Sequence, residues 1–126
     1  MNKLCFEIVS KIFENYFKID TLSHCDKLIF DNNKILLIEK TVYIDKDLLN
    51  TDVYNKEFAE IVKKMWGSFS ILLWYINDKN LLKQDKIFIL NAKIDKRFIK
   101  VLGKLIRELK KYRNGAYYDI QFIEKD

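Results

Sequence analysis

The chain has 126 residues, of which 49% are hydrophobic and 33% charged, and its formal net charge is +5 at pH 7. This length accommodates one domain, residues 1–126, and this hydrophobic fraction excludes a disordered chain. No apolar run is long enough to cross a bilayer, and charges at helical spacing interrupt the opening residues. We therefore expect neither a signal peptide nor a membrane anchor.

Two cysteines and one histidine leave little for metal or redox chemistry. Cys5 and Cys25 form no CxxC pair and no secretory signal precedes them, so reduced thiols in the cytoplasm are expected. No HExxH or DxDxDG motif is present, and no metal site is predicted. His24 is interpreted as a loop residue near the surface, because no third partner has the spacing that nucleophilic catalysis requires.

Two amphipathic helices are predicted in the first half of the chain. Apolar residues recur at three- and four-residue spacing over 4–17, which predicts a helix that ends near Asp20. A second helix begins at 50–52, where Asn, Thr and Asp side chains offer N-cap oxygens, and its apolar stripe runs over 54–65. Gly67 is placed where a left-handed residue would end this helix.

Four apolar runs in the first 76 residues favour β-strands. The apolar runs 28–30 and 35–38 lie on either side of an Asp-Asn-Asn sequence that tolerates the positive φ of a tight turn, which predicts a β-hairpin. Residues 42–44 are expected to extend the second strand or to form a third. Residues 68–76 are nearly continuous in apolar residues, which is the pattern of a strand covered on both faces.

The stretch from Lys86 to Ile123 predicts a strand, a helix and a strand. An apolar run over 86–94 is followed by a basic amphipathic run over 96–112, a Gly turn and an alternating run over 117–123. The connection is long enough for a right-handed parallel crossover. We therefore predict an α/β (mixed α+β) domain with a mixed sheet of about five or six strands, helices on both of its faces, and this strand-helix-strand unit at its end.

Positive charge is concentrated in the predicted basic helix. Between Lys93 and Arg113, nine basic residues and two acidic ones give a local charge of +7, so the rest of the chain carries −2. One row of cations recurs at steps of three and four residues, opposite the apolar stripe: Lys96, Lys100, Lys104, Arg107 and Lys111. This row is interpreted either as the solvated face of a surface helix or as a binding face for a nucleic acid or a protein partner.

The start of the basic helix is a second candidate site. A helix that begins beyond the carboxyl end of a buried strand directs free backbone N–H groups and a partial positive charge at that edge of the sheet. Lys93, Lys96, Arg97 and Lys100 surround this position, so a pyrophosphate or a nucleic-acid backbone would gain charge-assisted hydrogen bonds there.

The order strand 86–94, then DKRFIKVLGKLIRELKKY, a Gly turn and strand 117–123 resembles the cofactor-binding region of GNAT-type N-acetyltransferases, in particular the short, divergent GNAT-like proteins of phages. The resemblance implies an R/Q-x-x-G-x-G/A loop that holds the pyrophosphate of acetyl-CoA, with Gly103 as the available glycine. It also implies a gap in the sheet beside Ile94 and Tyr118 for the pantetheine arm, and a bacterial cytosol as the location.

Two features of the chain depart from the pattern of that family. Read from Arg97, the two small positions of the loop fall on Lys100 and Leu102, whose side chains would crowd a phosphate. The chain also ends soon after the last predicted strand, so Tyr117 and Tyr118 are the nearest candidates for the proton-donating tyrosine, with aromatic sheet packing as the alternative.

Two functions are therefore expected as alternatives. One is a GNAT-like domain that binds an acetyl-CoA-type ligand at Lys93, Lys96, Arg97, Lys100 and Gly103, with acyl transfer to an amine left open. The other is a non-enzymatic protein of phage or mobile-element type that binds nucleic acid or a host protein through the face formed by Lys104, Arg107 and Lys111. Trp66 and Trp74 leave room for a self-association surface such as a homodimer.

Overall fold

In a computed structural model of the chain, the described residues are 2–4, 6–18, 27–31, 34–75, 83–111 and 117–124. The predictions for Cys5, His24 and Cys25 lie outside these residues. The strands are β1 (Asn2–Leu4), β2 (Lys27–Asp31), β3 (Lys34–Ile44), β4 (Asp85–Ile94) and β5 (Asp119–Glu124). The helices are α1 (Phe6–Phe17), α2 (Thr51–Tyr75) and α3 (Ile99–Lys110), and short 3₁₀ turns, Lys46–Leu49 and Lys96–Phe98, precede α2 and α3.

The described strands form one mixed sheet in the order β1-β2-β3-β4-β5. Strand β2 is antiparallel to both of its neighbours, β1 and β3, whereas β3, β4 and β5 are mutually parallel, with Ile38 opposite Ile89 and Ile89 opposite Gln121. The predicted mixed α/β class, its sheet of about five strands and its strand-helix-strand unit are therefore confirmed.

The predicted hairpin is also confirmed, because β2 pairs antiparallel with β3 from Lys27–Ile38 to Asp31–Lys34. Residues 42–44 continue β3, and the pairing with β4 shifts register between Glu39 and Val42. Such a bulge re-aims the side chains that follow it.

The prediction of a strand over 68–76 is wrong, because α2 continues without a break to Tyr75. Gly67 lies inside this helix instead of ending it. The buried positions Ile61, Met65, Ser68 and Ile71 follow one another at three- and four-residue steps, so the apolar stripe of the helix runs on through the supposed strand. A continuous apolar run does not by itself distinguish a buried helix from a buried strand. Within this run, Leu73 and Tyr75 lie on the exposed side of the helix.

The start of the chain also differs from the prediction. Asn2–Leu4 form β1, which pairs with β2, so the first helix begins at Phe6 and not at Leu4. It ends at Phe17 before Asp20, and Lys18 follows with a left-handed φ of 55°. Lysine in this conformation ends the helix in the manner usual for glycine.

The described helices pack on one face of the sheet, so the prediction of helices on both faces is not confirmed for this part of the chain. Residues of α2 and α3, such as Met65 and Leu105, share one core with alternate residues of β3 and β4, such as Leu37, Phe88 and Leu90. Two parallel crossovers that advance in the same direction along a sheet place their helices on the same side. Phe13 of α1 reaches the same layer through an edge-on contact with Trp74 of α2, with 5.3 Å between the ring centroids.

A buried ion pair links the sheet to α2. The side chain of Glu39 in β3 is only 2% exposed, and the Nζ atom of Lys64 lies 3.1 Å from its carboxylate. At the same residue, the side-chain amide of Asn91 donates a 3.0 Å hydrogen bond to the Glu39 carbonyl oxygen. The β3 bulge is thus fixed from two sides.

We expect Lys64→Met to lower the free energy of unfolding by about 1–3 kcal/mol, because it removes the cation that lies 3.1 Å from the buried Glu39 carboxylate, while Lys64 itself is partly solvated. Urea unfolding measures the change. Lys63→Met, at an exposed neighbouring position, is the matched control. An equal loss in both variants would contradict a specific role for the pair.

Candidate anion-binding face of the basic helix

The basic helix begins at the carboxyl end of a buried strand. Strand β4 ends at Ile94, Asp95 follows, and the 3₁₀ turn Lys96–Phe98 leads directly into α3. The Asp95 amide donates a 2.9 Å hydrogen bond to the carbonyl oxygen of Ile44, the last residue of β3. The helix start is therefore fixed to the edge where the parallel strands β3 and β4 both end.

The protein's own carboxylate occupies the start of this helix. Asp95 Oδ1 accepts hydrogen bonds from the backbone N and the Nε of Arg97, both at 3.1 Å, and Oδ2 accepts one from Nη2 at 2.7 Å. Hydrogen bonds from the Arg97 side chain, and next from its backbone, lower the pKa of Asp95. Arg97 is thus committed to Asp95 and does not project toward a separate ligand.

Gly103 is an interior residue of α3 and lies apart from the helix start. A Cβ atom at this position would stand 3.4 Å from Nη1 of Arg107, one turn further along the helix. The guanidinium of Arg107 therefore lies back over Gly103. The structure does not bring Gly103 together with Asp95 and Arg97 in one loop.

Lys93 is the second-last residue of β4 and lies at the same edge of the sheet. It is exposed and pairs across the strands with Tyr43, and its Nζ atom lies 6.0 Å from the centre of the Tyr43 ring. This distance is at the outer limit of a cation–π contact. Lys93 and Tyr43 therefore form one small cationic and aromatic patch.

The predicted row of cations is an exposed face of α3. Its five members, Lys96, Lys100, Lys104, Arg107 and Lys111, are all exposed, while Leu102, Leu105 and Leu109 are buried on the opposite side. Lys104 lies over the ring of Tyr54 at 4.4 Å and 3.8 Å from the carboxylate of Glu108. Within the described part of the chain, the other four cations form no ion pair, so their charges face solvent.

Tyr54 of α2 contacts this face of α3 through its ring, which lies under the Lys104 ammonium. Its side chain is 4% exposed, and burial, followed by the negative charge of the nearby Glu108, raises the pKa of Tyr54 to about 12. The Lys104 ammonium therefore rests on the ring of a tyrosine that stays neutral well beyond its usual range.

The two tyrosines before β5 differ in burial and in their contacts. The buried Tyr117 donates its hydroxyl to the carbonyl oxygen of Met65 and packs against Phe69 and Phe88, as the alternative of aromatic sheet packing states. Tyr118 is exposed, and its amide donates to the Lys86 carbonyl oxygen at the start of β4.

The edge where α3 begins does not include Tyr118. Because β4 and β5 are parallel, Tyr118 and Ile94 lie at opposite ends of the sheet. The two strands stay paired from Ile87–Asp119 to Ala92–Glu124, without a gap over that range.

A repeated sequence marks an acidic feature that the sequence analysis missed. Ile44-Asp45-Lys46 and Ile94-Asp95-Lys96 both end a parallel strand and open a 3₁₀ turn, and each aspartate accepts a hydrogen bond from the amide two residues later. The matching Ile-Asp-Lys triplets are the signal in the sequence that identifies these caps. They bring two carboxylates to the edge where the sequence analysis places Lys93, Lys96, Arg97 and Lys100.

Comparison of the chain with protein-family models, with curated proteins and with solved structures finds no match in any of the three. None of the described helices has the length and apolarity needed to cross a membrane. Within the same residues, no group of three or more His, Cys, Asp and Glu side chains is arranged to hold a metal ion.

We expect Gly103→Ala to raise the free energy of unfolding by about 0.5–1 kcal/mol, because alanine favours a helix interior and the added Cβ meets only the mobile end of Arg107. Urea unfolding measures this change. If Gly103 instead made room for a bound phosphate, the same variant would lose affinity for acetyl-CoA, which calorimetric titration detects.

We expect stability to fall as the pH rises from 10 to about 12, partly because of Tyr54. Its folded-state pKa of about 12 lies above its ordinary value of 10.0, so the stabilisation is complete below pH 10 and is lost as the pH approaches 12. Denaturant unfolding at several pH values should show that Tyr54→Phe is less sensitive to this rise than the native chain. Tyr43→Phe, at an exposed position, is the control and should follow the native chain.

Proposed function

We propose that this protein is a non-enzymatic binding module that holds the phosphate backbone of a nucleic acid on the exposed face of α3. The observation that carries the proposal is the row Lys96, Lys100, Arg107 and Lys111, which is exposed and forms no ion pair within the described residues. A solvated lysine-rich surface is the competing explanation. The two explanations predict different effects of substitution. A solvated surface does not depend on which lysines are present, whereas a binding face depends on the residues of this row.

The spacing of the row suits a repeating anion. Residues four apart on an α-helix are separated by about 6 Å along its axis, so Lys96 with Lys100, and Arg107 with Lys111, have the spacing of neighbouring phosphates, while Lys100 and Arg107 are about 10 Å apart. Three of the four cations are lysines, which act as point charges and do not form the bidentate contacts of arginine. Binding of this kind positions a nucleic acid without reading its sequence.

An acetyl-CoA-type ligand is the second candidate. It is favoured by the start of α3 directly after the carboxyl end of β4. Asp95 and Arg97 would have to separate to admit a pyrophosphate, and the paired strands β4 and β5 would have to open for the pantetheine arm. The backbone proposal requires neither change, so it is preferred.

Lys100→Glu with Arg107→Glu should lower affinity for a 20-base-pair DNA duplex by at least about tenfold and reduce the slope of log K against log salt by about two, since each phosphate contact contributes about 0.9. Fluorescence anisotropy between about 50 and 200 mM salt measures both quantities.

The matched control for this experiment is Lys56→Glu with Lys63→Glu, which makes the same charge change at exposed positions of α2. Equal losses in the two double variants would show that only net charge matters. The absence of duplex and single-strand binding in the native chain would reject the proposal, and micromolar acetyl-CoA binding lost on Lys100→Glu would support the second candidate.

A further inference from the structure

A cavity of about 250 Å³ opens at the carboxyl end of β3, beside the start of α2. Its lining residues are four apolar or aromatic and three acidic: Val42, Tyr43, Leu48 and Val53, with Asp45, Asp47 and Glu57. A concave site with apolar and polar groups in nearly equal share can hold a small molecule by contact and by hydrogen bonds. The proposed backbone-binding face does not include this cavity.

Tyr43 has an unusual position for a sheet aromatic. Its side chain is 60% exposed, although its strand neighbours Val42 and Ile44 are buried. The Nζ atom of Lys93 lies 6.0 Å from the centre of the ring. An exposed tyrosine next to a cation is the pair of groups that stacks a base and holds its phosphate in single-strand binding proteins.

The carboxylates determine which ring the cavity would accept. Asp45 Oδ1 accepts a hydrogen bond from the amide of Asp47, and Asp47 and Glu57 are the other two acidic residues that line the cavity. Burial, and then the charge of Glu60, raises the pKa of Glu57, so this acceptor lies in a partly desolvated place. Such a wall repels a phosphate and favours the exocyclic amino groups of cytosine, adenine or guanine.

The cavity and the basic helix share one edge of the sheet. The hydrogen bond from Asp95 to Ile44 and the cross-strand pair of Tyr43 with Lys93 join the end of β3 to the start of α3. Lys96 follows within three residues of Lys93 and opens the row of cations. The end of β3 that lines the cavity is therefore joined to the residues that open the row of cations.

We propose that the cavity receives one unpaired nucleobase with an exocyclic amino group, that Tyr43 stacks on this base, and that Lys93 and Lys96 hold the flanking phosphates. This inference rests on the proposed function, because the row on α3 supplies the backbone contacts. It adds that the preferred ligand is single-stranded and that thymine is disfavoured.

The experiment compares labelled 12-nucleotide oligo(dC) and oligo(dT) with a duplex of the same length, by fluorescence anisotropy. We expect tighter binding of oligo(dC) than of oligo(dT). Tyr43→Ala should weaken oligo(dC) binding by roughly 5- to 150-fold, the range that corresponds to the loss of one stacked base, while the salt slope stays unchanged. Tyr43→Phe should retain the native affinity.

Tyr75→Ala is the matched control, since Tyr75 is 49% exposed and lies about 33 Å along α2 from Val53. If Tyr43→Ala binds oligo(dC) like the native chain, or if oligo(dC) and oligo(dT) bind equally, the inference is wrong. Loss of affinity in Lys100→Glu with Arg107→Glu would then still support the proposed function. If the native chain binds neither the oligonucleotides nor the duplex, both proposals fail together.

Discussion

The position of β4 between two parallel neighbours is the constraint on which the rest of the structure depends. Five consecutive residues of this strand, from Lys86 to Leu90, are buried, and β3 and β5 pair with it on either side. A parallel neighbour requires a crossover, so α2 and α3 must cover the sheet before and after β4. Both helices consequently start near one edge, and every candidate site discussed above lies on that edge or on α3.

The charge at that edge is divided between two kinds of groups. Asp45 and Asp95 cap the 3₁₀ turns that precede α2 and α3, while Asn50 Oδ1 accepts hydrogen bonds from the amides of Asp52 and Val53 at the start of α2 itself. The cations are Lys93 of β4 and the row of residues further along α3. The exposed cations are therefore separate from the capping carboxylates, and Asp45 also lines the cavity beside α2.

An apolar run alone does not determine whether a segment forms a helix or a strand. Residues 68–76 match the pattern of a buried strand, yet they complete α2, because the positions that contact the sheet recur from Ile61 through Met65 to Ile71 and Leu72. Gly67 also fails as a stop signal, because it lies within the packed part of the helix, where tertiary contacts override a propensity cost of about 1 kcal/mol. The outcome depends on which residues reach the core.

The mixed α/β class, the hairpin, the strand-helix-strand unit and the cationic row are predictable from the sequence, because each has a local period or a turn signal of its own. Tertiary structure alone decided that the described helices share one face, that Asp95 holds Arg97, and that Gly103 lies under Arg107 and not at a ligand. It also brought Tyr43 beside Lys93. Those relations join residues up to fifty positions apart or depend on rotamers, and no local pattern encodes them.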